Sequence, residues 1–205
     1  MLNIHARAAI SRALVPLGTG LANAGITPDV ITIFGTVGAV AGSVVFLAQG
    51  WWFTGTMVIT FFVLLDLVDG AVARAGGGGS TFGAVLDSSC DRIADAAIFG
   101  AVGWYWALHG QRWMLLAALL CLVLGSLTSY IRARAEAAGL TATVGIAERA
   151  ERLIIVLVGT GLTGLHVPYV LAIALWLLVA ASTITVFQRF ATVWTQSRAI
   201  QTADA

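Results

Sequence analysis

Charged residues are scarce in this 205-residue chain, and lysine is absent, so the strongly basic residues are all arginines. Charged residues make up 10% of the sequence and apolar residues 59%, whereas a soluble domain typically carries roughly 25% charged residues. Mean hydropathy is +0.93. These values exclude an ordinary water-soluble domain and predict that lipid surrounds most of the chain. We expect no nucleic-acid partner.

Cysteine is also rare. Cys90 and Cys121 are the only two, and they lie in separate apolar segments. We predict two buried, reduced thiols. Cys90 lies among four aspartates, but one cysteine beside hard oxygen donors is a poor metal-binding signature, which argues against a thiolate metal site.

The apolar residues form six runs, each close to the ~20 residues that a helix needs to cross a bilayer. The runs cover residues 30–49, 51–73, 84–107, 113–135, 152–166 and 168–190. We therefore predict an all-α fold, an integral membrane bundle of six transmembrane helices that forms a single domain over residues 1–205. No water-soluble domain fits in the remainder.

The two ends of the chain are more polar than the middle. Residues 3–18 alternate apolar residues with arginine, histidine and serine, a pattern typical of a helix that lies in the membrane interface. We predict an amphipathic helix over residues 1–20. Residues 192–205 form a short polar tail, which we expect to fray.

The positions of the arginines predict the orientation of the chain in the membrane. With six spans, Arg112 falls on one side, and the other side carries Arg7, Arg12, Arg74, Arg132, Arg134, Arg149, Arg152, Arg189 and Arg198. The positive-inside rule makes the arginine-rich side cytoplasmic. We expect a multi-pass protein of the plasma membrane, with both termini and the aspartate-rich segment facing the cytoplasm.

The first span opens with the segment GITPDVIT. Thr27 is placed to cap a helix, Pro28 suits its first turn, and Asp29 favours the positive end of the helix dipole.

Four of the few carboxylates lie in the stretch DLVDGAVARAGGGGSTFGAVLDSSCD, which begins at residue 66. Asp66 and Asp69 are three positions apart. Asp87 and Asp91 are four positions apart, so each pair shares one face of a helix. The GGGG segment at 76–79 interrupts the chain between the two pairs and brings the two helices side by side. Without a counter-charge, four carboxylates would repel one another and be costly to bury.

A pair of divalent cations would balance the charge of these carboxylates. Oxygen donors suit Mg²⁺ or Mn²⁺, so we predict a site for two Mg²⁺ ions, with Mn²⁺ as a possible substitute. Such a site favours phosphoryl transfer, since one ion can bind the attacking oxygen and the other the leaving group. Arg74 is placed to complement a phosphate. Small residues leave room for a diphosphate, namely Gly70, Ala73, Gly83 and Ala84.

The same residues carry a resemblance to a known family. The pattern from Asp66 to Asp91 reads D-x-x-D-G-x-x-A-R, eight residues, then G-x-x-x-D-x-x-x-D, and it is similar to the full signature of the CDP-alcohol phosphotransferases. That family consists of integral membrane enzymes with six spans, usually homodimers. They transfer a CDP-linked phosphatidyl group to an alcohol and release CMP.

The resemblance implies roles for individual residues. Asp66, Asp69 and Asp87 would bind two metal ions, while Asp91 would ligate one ion and act as the general base. Contacts to CDP-diacylglycerol would come from Gly70, Arg74 and Ser80, and the nucleotide would lie near Asp29, Val30, Ile31 and Thr32. Asp95 lies outside the signature, and we interpret it as a partner within or between helices.

The acceptor alcohol is indicated by arginines at the predicted cytoplasmic ends of spans four, five and six, namely Arg132, Arg134, Arg152 and Arg189. A single arginine can serve topology alone, and Glu148 with Arg152 can be a simple helix pair. Four arginines from three helix ends fit an anion pocket better, and therefore an acceptor that carries its own phosphate. Arg132 and Arg134 are two positions apart, so one of them would instead face lipid headgroups.

Beyond the signature, nearly the whole chain resembles the actinobacterial phosphatidylinositol phosphate synthases. The similar stretches include GITPDVIT, FGAVLDSSCDRIADA, SYIRARAEA and GIAERAERLII. That subfamily joins CDP-diacylglycerol to myo-inositol 1-phosphate and releases CMP. By this resemblance the inositol-phosphate pocket would consist of Ser129, Arg132, Arg134, Arg152 and Arg189. Phosphatidylglycerolphosphate synthase, which uses glycerol 3-phosphate, is the alternative.

Two other classes of protein also use clustered carboxylates. Membrane prenyltransferases carry aspartate-rich motifs, but those motifs usually lie on well-separated helices, whereas here both lie in one hairpin. A non-enzymatic divalent-cation transporter would place carboxylates near the membrane midplane, and its pore would open on both sides. Nothing acidic lies near the predicted outer face of this chain, which disfavours the transporter.

Overall fold

The computed structural model describes residues 16, 18–75 and 78–203, apart from the side chains of residues 66, 67, 75 and 203. All the regular structure in this described part is helical, which confirms the predicted all-α class. From residue 28 onward the described helices are α1 (Pro28–Val45), α2 (Trp52–Ala75), α3 (Thr81–Leu108), α4 (Arg112–Ala137), α5 (Arg149–Gly164) and α6 (Val170–Ala203). A 3₁₀ turn at Leu47–Gln49 joins α1 and α2. The predicted amphipathic helix lies mostly outside the described residues, and residues 18–23 are helical.

Four of the described helical segments are long and apolar enough to cross a membrane, namely Pro28–Gln49, Trp52–Arg74, Arg112–Ala137 and Val170–Thr202. The other two helices depart from this pattern for simple reasons. Helix α3 carries the charged cluster that includes Asp87, Asp91 and Asp95, and α5 is only 16 residues long. The count of six spans therefore stays a prediction.

The start of α1 follows the sequence pattern except at its cap. Thr27 is the residue before the helix, Pro28 is in the first turn, and Asp29 lies at the positive end of the helix dipole. The hydroxyl of Thr27 forms no capping hydrogen bond, so the predicted side-chain cap is wrong. Thr27 still has the extended backbone of a residue that precedes a helix, with φ −83° and ψ 152°.

The glycine-rich segment separates α2 from α3, as predicted, since α2 ends at Ala75 and α3 begins at Thr81. Gly78 has a φ of +116°, a backbone conformation that a side chain would strain. The next helix is capped by Ser80, whose Oγ accepts a hydrogen bond from the Gly83 N–H at 2.8 Å. Ser80, which was predicted only to contact CDP-diacylglycerol, therefore also caps α3.

The chain forms two compact units. The first consists of Met1–Gln49 and Thr54–Ile98, and the second of Gly50–Phe53 and Phe99–Ala205. In the first unit, a buried cluster of Ile31, Val68 and Val72 packs against Leu21, Ala22 and Leu65. In the second, the buried residues Ile131, Ala135, Ala142 and Val186 form a core with Leu124, Leu127, Leu140 and Val193. Both cysteines are buried and form no disulfide, which confirms that prediction.

The polar tail does not fray where the structure describes it, because α6 continues to Ala203. Gln196 ties this extension to the loop after α4. Its Oε1 accepts a hydrogen bond from the Thr141 N–H at 2.9 Å, and its Nε2 donates to the Thr141 carbonyl at 2.7 Å. The expectation of fraying is wrong for residues 192–203, since these paired hydrogen bonds hold the helix against the loop.

The end of α5 makes a testable close contact. A Cβ added at Gly164 would lie 2.8 Å from Cα and 2.7 Å from Cβ of Phe53. The positions of these Phe53 atoms are set by the backbone, so they cannot move aside by a rotamer change. We therefore predict that Gly164→Ala destabilises the protein by about 1–3 kcal/mol through overpacking. Thermal unfolding of the purified protein in detergent would measure the change.

The matched control is Gly100→Ala. A Cβ there meets nothing within 4 Å, and alanine favours a helix over glycine by about 1 kcal/mol. This variant should be at least as stable as the wild type. Equal unfolding temperatures for the two variants would contradict the packing argument.

Candidate active site

The four motif aspartates lie on two consecutive helices of the first unit. Asp66 and Asp69 belong to α2, and Asp87 and Asp91 belong to α3. Their described side chains differ in burial. Asp69 is 8% exposed, Asp91 is partly buried, and Asp87 is exposed. The carboxylates thus range from the interior of the unit to its surface, as a site open to a diffusing ligand requires.

Asp69 is held by a side chain from α1. The Oγ1 of Thr32 lies 2.5 Å from Asp69 Oδ2 and donates a hydrogen bond to it. The Thr32 hydroxyl also lies 3.1 Å from the Pro28 carbonyl, and Thr32 is only 4% exposed. A buried carboxylate fixed in this way keeps one rotamer, which prepares its oxygens for a cation. Sequence reasoning placed Thr32 near the nucleotide and missed this contact, which spans 37 positions.

Asp91 is accompanied by Arg92. Arg92 Nη2 lies 3.4 Å from Asp91 Oδ2, at the long end of a charged hydrogen bond. The side chains are 32% and 17% exposed respectively. The adjacent Asp-Arg pair was visible in the sequence, and the prediction overlooked it.

Several residues predicted to contact CDP-diacylglycerol lie close together at the starts of α1 and α3. A Cβ added at Gly83 would be 3.0 Å from Asp29 Oδ1 and 3.1 Å from Ser80 Oγ. A glycine at position 83 therefore lets these two helix N-termini approach each other. Helix N-termini carry partial positive charge and favour anions such as phosphates.

Arg74 folds back over its own helix. A Cβ added at Gly70 would lie 3.3 Å from Arg74 Nη1, and Arg74 is exposed in the last turn of α2. The glycine lets the guanidinium lie along the helix surface. A guanidinium in this position is accessible to a phosphate.

The donor chemistry of the aspartate cluster fits a hard divalent cation. The carboxylates offer only oxygen atoms, which Mg²⁺ and Mn²⁺ prefer, and the neighbouring Cys90 is buried. Among the described side chains, no group of three histidines, cysteines, aspartates or glutamates converges on one point. The described side chains do not include that of Asp66, which is one of the four predicted ligands.

The predicted inositol-phosphate residues belong to the second unit, where two arginines are deeply buried. Arg152 is 2% exposed and Arg189 is 4% exposed. Arg152 Nη1 donates to Thr128 Oγ1 at 3.3 Å, and Arg189 Nη1 donates to the Thr128 carbonyl at 2.6 Å. One residue of α4 thus brings together an arginine from α5 and an arginine from α6.

The other members of the predicted pocket have different surroundings. Arg132 is 47% exposed at its side chain and pairs with Glu136 Oε1 at 2.8 Å, one helical turn away. Arg134 is exposed. The Ser129 hydroxyl is partly buried and donates to the Gly125 carbonyl at 3.3 Å. The predicted set therefore divides into two buried arginines that share Thr128 and two arginines at the surface of α4.

Sequence reasoning missed two residues beside these arginines, Thr128 and Thr185. The signal for Thr185 was present, because Thr185, Arg189 and Gln196 follow one another at spacings of four and seven. Such spacings place side chains on one helix face.

Comparison with known proteins shows the family of this chain. The family model for CDP-alcohol phosphatidyltransferase matches residues 25–195. The chain is 50% identical to a phosphatidylinositol phosphate synthase of Mycobacterium tuberculosis over 198 residues, 95% of this chain and 91% of the relative. It is 45% identical to a protein of the same name from Streptomyces avermitilis over 213 residues, 100% of this chain and 87% of the relative.

Solved structures are similar as well. The crystal structure of the Mycobacterium tuberculosis synthase with CDP-DAG bound has a TM-score of 0.85 at 49% identity, covering 90% of this chain and 94% of that one. The structure of the same enzyme with manganese and citrate has a TM-score of 0.84 at 48% identity, covering 89% of each chain. The chain described here belongs to the CDP-alcohol phosphatidyltransferase family.

Proposed function

We propose that this enzyme transfers the phosphatidyl group of CDP-diacylglycerol to myo-inositol 1-phosphate, forming phosphatidylinositol phosphate and releasing CMP. The observation that carries the choice of acceptor is the environment of Arg189. Within the described part of the chain it donates only to backbone carbonyls, those of Val144 and Thr128. Among the described residues no carboxylate hydrogen-bonds to this cation, which is 4% exposed, although Glu148 favours its charge from a distance. Burial of such a cation is costly. A phosphate on the acceptor would balance its charge.

The similarity to named relatives supports the same choice. Proteins called phosphatidylinositol phosphate synthase share 50% identity over 95% of this chain. A match of that length includes both the aspartate motif and the helix ends that carry the arginines.

In the proposed reaction the acceptor hydroxyl oxygen attacks the phosphorus of the phosphatidyl group, and the bond from that phosphorus to the CMP oxygen breaks. Asp91 takes the hydroxyl proton, and CMP leaves with the electron pair of the broken bond. Two divalent ions would be held by Asp66, Asp69, Asp87 and Asp91, and when bound they offset the diphosphate charge and acidify the hydroxyl.

The remaining residues of the first unit bind and orient the donor. Thr32 fixes the Asp69 carboxylate at 2.5 Å. Arg74 complements a phosphate. The N-termini of α1 and α3, which approach each other at Gly83, bind the nucleotide end of the donor. Asp29, Val30, Ile31, Thr32, Gly70, Arg74 and Ser80 form the proposed CDP-diacylglycerol site.

The acceptor pocket is assigned to residues of the second unit, Ser129, Arg132, Arg134, Arg152 and Arg189. Arg132 already has Glu136 as a partner, so Arg134 is the better candidate for the exposed contact to the acceptor phosphate.

The cellular setting is part of the proposal. We place the enzyme in the plasma membrane as a homodimer, with six spans, and with the active site and both termini on the cytoplasmic side. The arginine distribution supports this orientation.

A panel of acceptors tests the proposal. Purified protein with CDP-diacylglycerol and Mg²⁺ should release CMP with inositol 1-phosphate and not with free inositol or serine, because only the phosphate balances the buried guanidinium. Thin-layer separation of the lipid product would identify it. Turnover with glycerol 3-phosphate in preference would instead assign the chain to phosphatidylglycerolphosphate synthesis.

The same assay tests Arg134. The acceptor phosphate is not consumed, so Arg134→Ala should raise the KM for inositol 1-phosphate roughly tenfold to hundredfold, with a smaller effect on kcat. The KM for CDP-diacylglycerol should not change. Arg198→Ala is the control, since Arg198 stacks on Trp194 at 4.1 Å near the end of α6. Equal KM values for both variants would assign Arg134 to topology alone.

Metal dependence is a second prediction. Chelator should abolish activity, and Mg²⁺ or Mn²⁺ should restore it, because four carboxylates need a counter-charge before a diphosphate can bind. Ca²⁺ should serve poorly, since it prefers longer and looser oxygen shells. Titration of CMP release against each metal would measure the effect. Full activity in excess chelator would rule out the two-metal mechanism.

Loss of the base is a third prediction. Asp91→Asn keeps the shape of the side chain but cannot accept a proton, so kcat should fall by about 10²–10⁴. Binding of CDP-diacylglycerol should survive, as measured by equilibrium binding of labelled substrate. Ser88→Ala is the control, because its exposed hydroxyl donates to the Val85 carbonyl of the same helix. Near-normal turnover in Asp91→Asn would mean that another group is the base.

A further inference from the structure

The loop before α5 is held by one face of α6, which we call the polar face and define as Thr185, Arg189 and Gln196. Gln196 binds both the N–H and the carbonyl of Thr141. Arg189 Nε donates to the Val144 carbonyl at 2.9 Å. The loop is thus fixed to α6 along its length rather than at a single point.

Thr185 holds the centre of the attachment. Its Oγ1 accepts hydrogen bonds from the N–H groups of Ile146 at 3.2 Å and Ala147 at 3.1 Å, and it donates to the Ala181 carbonyl at 2.9 Å. A hydroxyl has one proton and two lone pairs, so this hydroxyl is fully used. Thr185 is completely buried.

The loop in turn positions both buried arginines. Arg189 Nε is bound by the Val144 carbonyl, and Arg152 Nη1 is bound by the Ala147 carbonyl at 3.2 Å. Thr185 binds the N–H groups of Ile146 and Ala147, so it holds the same short segment that carries these two carbonyls. A shift of the loop would therefore move the hydrogen-bond partners of both guanidinium groups at once.

Gly145 lets the loop approach α6 this closely. Its φ is +141°, and an added Cβ would collide with Cγ2 of Thr185. The methyl group of Thr185 packs against the glycine while its hydroxyl binds the next two amides. The backbone conformation and the threonine are therefore matched to each other.

We propose that Thr185 is a positioning residue for the acceptor phosphate: through residues 144–147 it fixes the orientation of Arg152 and Arg189. This inference rests on the proposed function, because it takes those arginines to bind the acceptor. Guanidinium groups anchored to carbonyls lose little freedom when they bind a phosphate, which raises affinity. Thr185 itself does not touch the reacting atoms.

The test compares Thr185→Val with Thr185→Ser in the purified full-length enzyme, with inositol 1-phosphate and CDP-diacylglycerol as substrates. Valine keeps the shape and removes the hydroxyl. It should raise the KM for inositol 1-phosphate about tenfold and leave kcat and the KM for CDP-diacylglycerol within about threefold. Serine keeps the hydroxyl and should restore the wild-type KM.

Thr183→Val is the matched control. It lies on the same helix, and its hydroxyl donates only to the Val179 carbonyl of that helix, at 2.7 Å. It should behave as the wild type. An equal rise in KM for Thr183→Val, or a folded Thr185→Val enzyme with the wild-type KM, would overturn the proposal. A fall in kcat with unchanged KM would also overturn it.

A second variant decides the matter if Thr185→Val does not fold. Thr185→Ala removes the same hydroxyl with a smaller side chain and introduces no new contact. It should also raise the KM for inositol 1-phosphate about tenfold, and a folded Thr185→Ala enzyme with an unchanged KM would overturn the proposal. The wild-type assay separates the two hypotheses. A wild type that does not use inositol 1-phosphate overturns the proposed function and this inference together, whereas an active wild type with unaffected variants overturns only the inference.

Discussion

The interior of the second unit depends on the burial of two guanidinium groups in an otherwise apolar set of helices. A buried cation must be surrounded by acceptors. Thr128 supplies two of them, its hydroxyl to Arg152 and its carbonyl to Arg189. The loop before α5 supplies two more, from Val144 and Ala147. The Val144 and Ala147 carbonyls are available for this purpose because the loop backbone lies outside the helical hydrogen-bond pattern.

The first unit meets the same cost differently. Its charges are carboxylates, and only Asp69 among those described in the motif is deeply buried. The hydroxyl of Thr32 satisfies one of its oxygens. Asp87 and Asp91 are more exposed, so water can solvate them when no cation is bound. The proposed metal site thus combines one deeply buried ligand with ligands that lie closer to the surface.

Small residues set how closely these polar groups can approach. At Gly83 an added methyl group would press on Asp29 and Ser80, and at Gly70 it would meet Arg74. At Gly145 it would collide with Thr185. In each case the glycine allows a polar side chain to reach a neighbouring backbone. Two of these glycines belong to the motif that identified the family, and the third was not singled out by the sequence.

The sequence by itself determined the features that depend on local spacing and composition. Apolar runs predicted the helices, and the GGGG segment predicted that a helix ends near Ala75. The spacing of the four aspartates indicated the candidate metal ligands and the family. Tertiary structure alone decided the features that join distant positions. Thr32 reaches Asp69 across 37 residues, and Gln196 in the expected tail reaches Thr141 across 55. Thr185 likewise reaches Ile146 across 39 positions. Helical periodicity tells which residues share a face, but only the packing of helices tells which face meets which loop, because hydrogen bonds between elements carry no local sequence signature.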